Sequence, residues 1–388
     1  MKYYFVLGNH PALSIAELYS RLTIISGNYI KPDIFIAEVS DDINCEEFLD
    51  TIGGTIKMGK IITSIDNKPH SIFTTSLDFL REAPKQGKFN FGLSSYAKPR
   101  IDTKKVGLAL KQALKNEDIS CRFVVSKEKT LSSVVVEQNK LVGTGRELVY
   151  IGSNNQILCG VTLAVQPFKK LSERDYGRPA RDDRSGMLPP KLAQIMINIS
   201  GAKKDESILD PFCGSGTVIT EAILMGFNTI IGSDISAKAI EDTRTNIRWV
   251  KDIYRRQINP ELKIVDARQL SKYYKLDSVG AIITETYLGP QRGAIDIQKV
   301  SRELGELYNQ ALKEIFLVLK KGGRAVIALP AFMSNGRPIL LELNIGKFKN
   351  ETIVPHNLDI HLGITTRNSF VYGRDDQKVW REIIILGK

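Results

Sequence analysis

The sequence predicts an α/β protein: an open, seven-stranded, Rossmann-like sheet over residues 187–388, preceded by two smaller α+β modules. Three observations predict it. From about residue 204 onward, apolar strands alternate with amphipathic helices, the pattern of a parallel sheet with helices on both faces. Successive strands there end in acidic residues, at Asp210, Asp234 and Asp266. The final two strands are joined by the turn-like Gly373-Arg374-Asp375-Asp376, so the last pair is antiparallel.

The elements follow in chain order. Tyr3 to Leu7 is a first strand, too short an apolar stretch for a secretory signal. A helix starts near Ser14, with Ile15, Leu18 and Leu22 on one face, and Ser14 with Glu17 reads as a capping box. Phe35 to Val39 is the next strand, and a helix over Glu46 to Ile52 stops at Gly53-Gly54. These make an N-terminal, ferredoxin-like module over residues 1–65. A second module, 70–165, holds a strand from Phe89 to Ser94 and a helix from Thr103 to about Leu114. Strands at Cys121 to Ser126 and Ser133 to Gln138 follow, with Gln138-Asn139-Lys140 as a hairpin turn. Residues 166–186, rich in charge, Pro and Gly and without apolar periodicity, read as a linker.

Beyond it, Pro189-Pro190 launches a helix through Leu192, Ile195, Met196 and Ile199. Strands are expected at Ser207–Asp210, Thr229–Asp234, Leu262–Asp266, Val279–Thr284 and Arg324–Leu329, then near Ser369–Tyr372 and Trp380–Leu386. Helices fill the gaps at Thr217–Met225 and Ala237–Val250, and a long one runs to Lys320, stopping at Gly322-Gly323.

Composition narrows the partners. The 388 residues carry a net charge of +11, unevenly spread. Residues 1–80 hold 6 Lys and Arg against 10 Asp and Glu, whereas 81–170 hold 16 against 7. A basic block beside an acidic one is a footprint of nucleic-acid binding, and equally of a lysine-rich solvated surface. No apolar run approaches the roughly 20 residues of a membrane span. The four cysteines form no Cys-x-x-Cys pair and the four histidines no metal spacing, so neither a metal nor a disulfide framework is expected, and a reducing cytoplasm fits.

The chemistry concentrates at Asp210-Pro211-Phe212-Cys213-Gly214-Ser215-Gly216-Thr217. A strand ends in an acid, and a Gly-Ser-Gly turn opens a helix whose first N–H groups lack partners, so a polar or anionic ligand group can sit there. A phosphate-binding loop needs Lys before the Ser/Thr and a dinucleotide site needs a third glycine; neither is present. Asp234, 24 residues on, can accept from both hydroxyls of a ribose, and Asp266-Ala267 is placed to hold an adenine amine. The ligand reads as a nucleoside without a triphosphate, which suits S-adenosylmethionine. Asn246 and Arg248 read as surface or packing residues, and Arg292 as an exposed arginine or a phosphate contact.

The motif resembles the cofactor site of amino-methylating nucleic-acid methyltransferases. Arg178-Pro179-Ala180-Arg181-Asp182 and Leu188-Pro189-Pro190-Lys191-Leu192-Ala193 resemble the lead-in segment of THUMP-containing tRNA methyltransferases. The chain is similar in particular to the archaeal and eukaryotic tRNA guanine-N2 methyltransferases acting on guanosine ten, and Asn90 to Ser94 with Leu131 to Val136 resemble a THUMP domain. The resemblance implies a class I methyltransferase domain, a THUMP-like RNA-binding domain, and S-adenosyl-L-methionine as cofactor, bound by Asp210, Phe212, Gly214, Gly216, Thr217, Asp234, Asp266 and Ala267. It implies tRNA as the partner, and leaves open a small activating subunit.

One segment departs. Where the family carries Asp-Pro-Pro-Tyr, this chain has Thr284-Glu285-Thr286-Tyr287. Transfer to an aromatic amine needs side-chain and carbonyl acceptors for the amine hydrogens, and an aromatic ring to hold a base rotated out of its stack. Tyr287 supplies the ring. Thr284 aligns with the family acid, and Glu285 is the carboxylate within reach. Catalytic residues are therefore expected among Thr284, Glu285 and Tyr287. The alternatives are a DNA amino-methyltransferase for adenine N6 or cytosine N4, or an RNA-binding protein on a methyltransferase scaffold that has lost catalysis.

Overall fold

The computed structural model describes residues 1–83, 89–153, 156–181, 187–290, 296–334, 336–355, 358 and 364–388. The chain forms two compact units. One comprises Met1–Pro11, Leu22–Thr51 and Thr55–Pro167, and the other Ala12–Arg21, Ile52–Gly54 and Phe168–Lys388.

The first unit is built on one mixed sheet of eight strands among the described residues: β1 (Lys2–Leu7), β2 (Ile24–Ile30), β3 (Ile34–Val39), β4 (Thr55–Asp66), β5 (Phe89–Tyr96), β6 (Cys121–Val124), β7 (Arg146–Ser153) and β8 (Gln156–Val165). They lie in the order β2-β3-β1-β4-β8-β7-β5-β6. The helices over this stretch are α1 (Pro11–Arg21, grouped almost wholly with the other unit), α2 (Cys45–Asp50), α3 (Pro69–Arg81), α4 (Thr103–Asn116) and α5 (Ser133–Gln138). The division expected between 65 and 70 is not a break in this sheet, since the 12-residue β4 pairs with β1 and with β8. Helix α4 crosses between the parallel β5 and β6 and packs Leu110 and Leu114 against Phe89 and Phe91.

Two expectations fail here for local reasons. Ser133 to Gln138, expected as a strand from its Val-Val-Val run, is α5. Ser132 caps it by accepting from Val135 N at 3.3 Å, and Val136 is buried with Leu131 and Leu141. The expected hairpin turn at Asn139 is instead its C-terminus, where Asn139 Nδ2 donates to Val135 O at 2.9 Å.

The second unit carries a sheet of nine strands among the described residues. Its elements are α6 (Phe168–Tyr176), α7 (Pro190–Ile199), β9 (Ser207–Asp210), α8 (Thr217–Leu224), β10 (Thr229–Asp234), α9 (Ala237–Tyr254), β11 (Glu261–Ile264), β12 (Val279–Glu285), α10 (Ile297–Val318), β13 (Leu319–Ser334), β14 (Arg337–Leu340), β15 (Lys349–Asn350), β16 (Phe370–Tyr372) and β17 (Val379–Gly387). Seven strands form the path β11-β10-β9-β12-β13-β17-β15, with β14 and β16 added at its side. Strands β9 to β13 run parallel, and β17 inserts antiparallel beside β13. This is the expected α/β sheet with an antiparallel ending, except that β14 and β15, which the sequence reading did not expect, raise its seven strands to nine.

Three details correct the sequence reading. The stretch expected as an aperiodic linker contains α6, which buries Leu171 and Arg174, the latter bonded to Glu221 at 2.7 Å. Helix α10 ends at Val318, and Gly322-Gly323 lie inside β13. There Gly322, at φ +75°, accommodates the slip in register between the pairs Val279↔Leu319 and Ala281↔Arg324. Ser14 is the buried fourth residue of α1 and is no cap; the Glu17 carboxylate instead accepts from Gly53 N at 2.9 Å, Gly54 N at 2.7 Å and Asn198 Nδ2 at 2.7 Å.

Candidate active site

In a parallel sheet every strand delivers its last residue to the same edge, and ligands bind outside it. Register does this here: Gly232 stands opposite Asp210, so β10 runs two residues past β9 and ends on Asp234. Asp210, Asp234, Asp266 and Glu285 all line one cavity of about 970 Å³ at this edge.

The Asp210 segment forms one wall. Asp210 is buried, and burial pushes its carboxyl up to about 7. Its Oδ1 accepts from Thr284 Oγ1 at 2.6 Å and Phe212 N at 3.1 Å. Gly214 and Gly216 take φ of +52° and +83°, the latter as the residue capping α8, and a Cβ at 216 would stand 2.8 Å from Thr243 Cγ2. The turn is held from outside as well. Thr243 Oγ1 donates to Gly214 O at 2.8 Å, and Asn246 Nδ2 to Ser215 O at 2.8 Å and Ala180 O at 2.9 Å. Arg178 Nη1 reaches Thr217 Oγ1 at 2.5 Å. Asn246, read from sequence as surface or packing, thus ties the cofactor-type turn to the segment before the domain. Arg248 is exposed and pairs with Glu241 at 3.0 Å.

The second wall is acidic and apolar together. Asp234 accepts from Gly214 N at 3.0 Å and Ser236 N at 2.9 Å, and beside it Ile235 is 66% exposed, an apolar surface facing the same space. Asp266 caps a 3₁₀ turn over Ala267–Lys272 and binds Arg268, which holds its carboxyl below the usual range. An adenosine needs this set: a carboxylate for ribose hydroxyls, an apolar face for the base, and a close-approaching glycine turn.

The third wall is the end of β12. Glu285, Thr286, Tyr287 and Leu288 line the cavity, and Thr284 does not. Strand alternation explains it: Thr284 points the opposite way from Glu285, into a fully buried position on Asp210. Thr284, expected as the counterpart of the family acid, therefore acts on the site only through Asp210, and Glu285 is the strand-end acid. Glu285 pairs with Arg381 of β17. Tyr287 is 51% exposed, and its carbonyl accepts from Tyr308 OH, which anchors the loop. Phe212 meets Tyr308 edge-on at 6.3 Å, joining the first wall to the third. Arg292 lies outside the described residues.

The sequence reading missed Arg381 and Thr243. Neither lies near a motif, and Arg381 is 96 residues from the acid it binds. Among the described residues no helix is long and apolar enough to cross a membrane.

The chain is similar to known proteins over the stretch that carries this cavity. Residues 178–336 match the family described as UPF0020, RMKL-like, methyltransferase domain. The chain is 34% identical over 150 residues to the tRNA (guanine(10)-N2)-dimethyltransferase of Methanothermobacter thermautotrophicus, covering 38% of this chain and 40% of that protein. It is 32% identical over 165 residues to the enzyme of the same name from Pyrococcus abyssi, covering 42% and 43%. These matches thus span less than half the length of either relative. Among solved structures it is similar to TrmN from Thermus thermophilus, with a TM-score of 0.55 over the whole of both chains at 15% identity. The fold is thus similar to that of TrmN, and residues 178–336 match a methyltransferase-domain model.

Proposed function

We propose that this chain is an S-adenosylmethionine-dependent tRNA methyltransferase that modifies the exocyclic N2 of a guanosine. The observation that carries the reading is the position of Glu285: a carboxylate at the end of the fourth parallel strand, on the same cavity as the Asp210 turn and Asp234. The relationship to the two archaeal tRNA guanine-N2 enzymes supports it.

Asp210, Phe212, Gly214, Gly216 and Thr217 would hold the amino-acid end of the cofactor, Asp234 the ribose, and Asp266 with Ala267 the adenine. When bound, the cofactor supplies an electrophilic methyl group on a sulfonium. Glu285 and the loop after it would hold the acceptor amine by its hydrogens and leave its lone pair free for the methyl group that the cofactor would supply. Once the acceptor nitrogen carries the methyl group it must shed a proton, and the Glu285 carboxylate would take it. Tyr287, half exposed at the cavity, stacks on the rotated base. Thr284 is a positioning residue for Asp210.

A carboxylate also favours guanine over adenine. Guanine presents N1–H and N2–H side by side, two donors for one acceptor group, whereas adenine sets an N1 lone pair beside its amine, and two acceptors then face each other. In the other unit, α4 exposes Lys104, Lys105, Lys111 and Lys115, and we assign this THUMP-like region to tRNA binding through phosphate contacts. A cytoplasmic location follows from a tRNA substrate, and the four free thiols suit it.

The test is incubation of the purified chain, with no added subunit, with methyl-labelled S-adenosylmethionine and either an unmodified tRNA transcript or duplex DNA, followed by nucleoside analysis. The expected product is N2-methylated guanosine in tRNA. Label confined to DNA overturns the substrate assignment, and cofactor binding without transfer to tRNA overturns the catalytic one.

A further inference from the structure

The acid proposed to hold the acceptor amine does not stand alone, and its partner comes from the far side of the sheet. Glu285 of β12 is in register with Ala328 of β13, and Ala328 with Ile383 of β17. Residues in register share a face of the pleat, and so do alternate residues along a strand. Arg381, two residues from Ile383, is therefore on the face that carries Glu285. Two strand spacings, roughly 10 Å, separate β12 from β17. Two long side chains close that gap by meeting over β13, where Ala328 stands opposite Glu285 and Pro330 opposite Arg381.

We propose that Arg381 is a positioning residue that fixes the Glu285 carboxylate for the acceptor amine; the proposal rests on the reading of Glu285 given above. Arg381 is 5% exposed and touches nothing reacting. Its Nε donates to Glu285 Oε1, and its Nη2 donates to Met187 O at 3.2 Å. Met187 lines the same cavity as Glu285, so one guanidinium ties together two of its walls. Among the described residues no hydrogen bond takes Glu285 Oε2, which leaves that oxygen to accept from the base.

This arrangement answers the chemistry of the altered loop. Thr286 and Tyr287 stand directly after the acid in place of prolines; bonds from Thr286 to Ala328 O and from Tyr308 OH to Tyr287 O hold this backbone, but none of them restrains the Glu285 side chain. Glutamate also has one more rotatable bond than aspartate. A planar guanidinium bonded at both ends removes that freedom from the side.

The experiment is a double-mutant cycle in the full chain, with Arg381→Gln, Glu285→Gln and the pair, read by single-turnover methylation of an unmodified tRNA transcript at saturating cofactor. S-adenosylmethionine affinity is measured by titration calorimetry alongside. A misplacement of about 1 Å costs on the order of 100-fold. The expected result is a 10- to 100-fold slower Arg381→Gln with cofactor Kd and tRNA KM within about twofold. Arg381→Lys should recover part of the rate, and the double variant should be no slower than Glu285→Gln. If Arg381→Gln slows both backgrounds by the same factor, or neither, the positioning role is overturned. If Glu285→Gln alone keeps the full rate, the reading of Glu285 falls first and takes this proposal with it, a signature distinct from additivity. Should Arg381→Gln not fold, Arg381→Lys carries the cycle by the same criteria.

Discussion

Thr284→Val offers a direct measure of how the buried acid is held. The substitution keeps shape and volume and deletes one hydroxyl, which donates to Asp210 Oδ1 at 2.6 Å in a position with no solvent access. Hydrogen bonds to a charged group contribute about 1.5–3 kcal/mol, and neutral ones about 1. Burial has raised the Asp210 carboxyl to about 7, so at pH 8 the native protein holds a carboxylate there, and at pH 5.5 a neutral acid. After substitution one donor, Phe212 N, remains on that oxygen. The expected loss is therefore about 2 kcal/mol at pH 8 and about 1 kcal/mol at pH 5.5, with the Asp210 carboxyl driven further up. Urea unfolding followed by circular dichroism at the two pH values measures both. A destabilisation equal at the two pH values would show that the hydroxyl packs rather than solvates the acid.

Further outcomes follow from the same geometry. Asp210 and Glu17 are both raised to about 7 by burial, from 3.8 and 4.5. The native state thus binds their protons more tightly, so the stability these two groups contribute is greatest below about pH 4, is lost as pH rises to about 7, and levels off above. Thermal melts of wild type and Glu17→Gln between pH 4.5 and 8 check this, the variant showing the shallower slope. Gly216→Ala puts a Cβ 2.8 Å from Thr243 Cγ2 on a residue at φ +83°, at a cost of about 1–2 kcal/mol from the left-handed backbone alone. Because the turn must shift to relieve the Thr243 contact, titration with S-adenosylmethionine should show its affinity falling about tenfold, the equivalent of about 1.4 kcal/mol of lost fit. Arg174→Met strands the buried Glu221, whose side chain is 1% exposed, and should cost about 3–5 kcal/mol in urea unfolding.

Much of this protein is legible along the chain, because the relevant signals are local. A strand tip, a glycine turn and a helix start are adjacent in sequence, so Asp210 to Thr217 reads as a candidate cofactor site without any tertiary knowledge. The alternation of strand and helix after residue 204 likewise declares the sheet and the edge that carries Asp234 and Asp266. Where local propensity competed with context it misled: the Val-Val-Val run over 134–136 packs as a helix because Ser132 caps it and a leucine pair receives Val136. What only the tertiary structure decided is the cavity wall at the end of β12. Strand alternation at the end of β12 sends Thr284 inward to Asp210 and leaves Glu285 on the cavity, a choice of face that a one-residue difference in alignment reverses. The partner of Glu285 is 96 residues away on an antiparallel strand, brought close only because β17 inserts beside β13. Sequence specifies contacts between neighbours through period and propensity; contacts across a sheet are set by strand order and register, and those are properties of the folded whole.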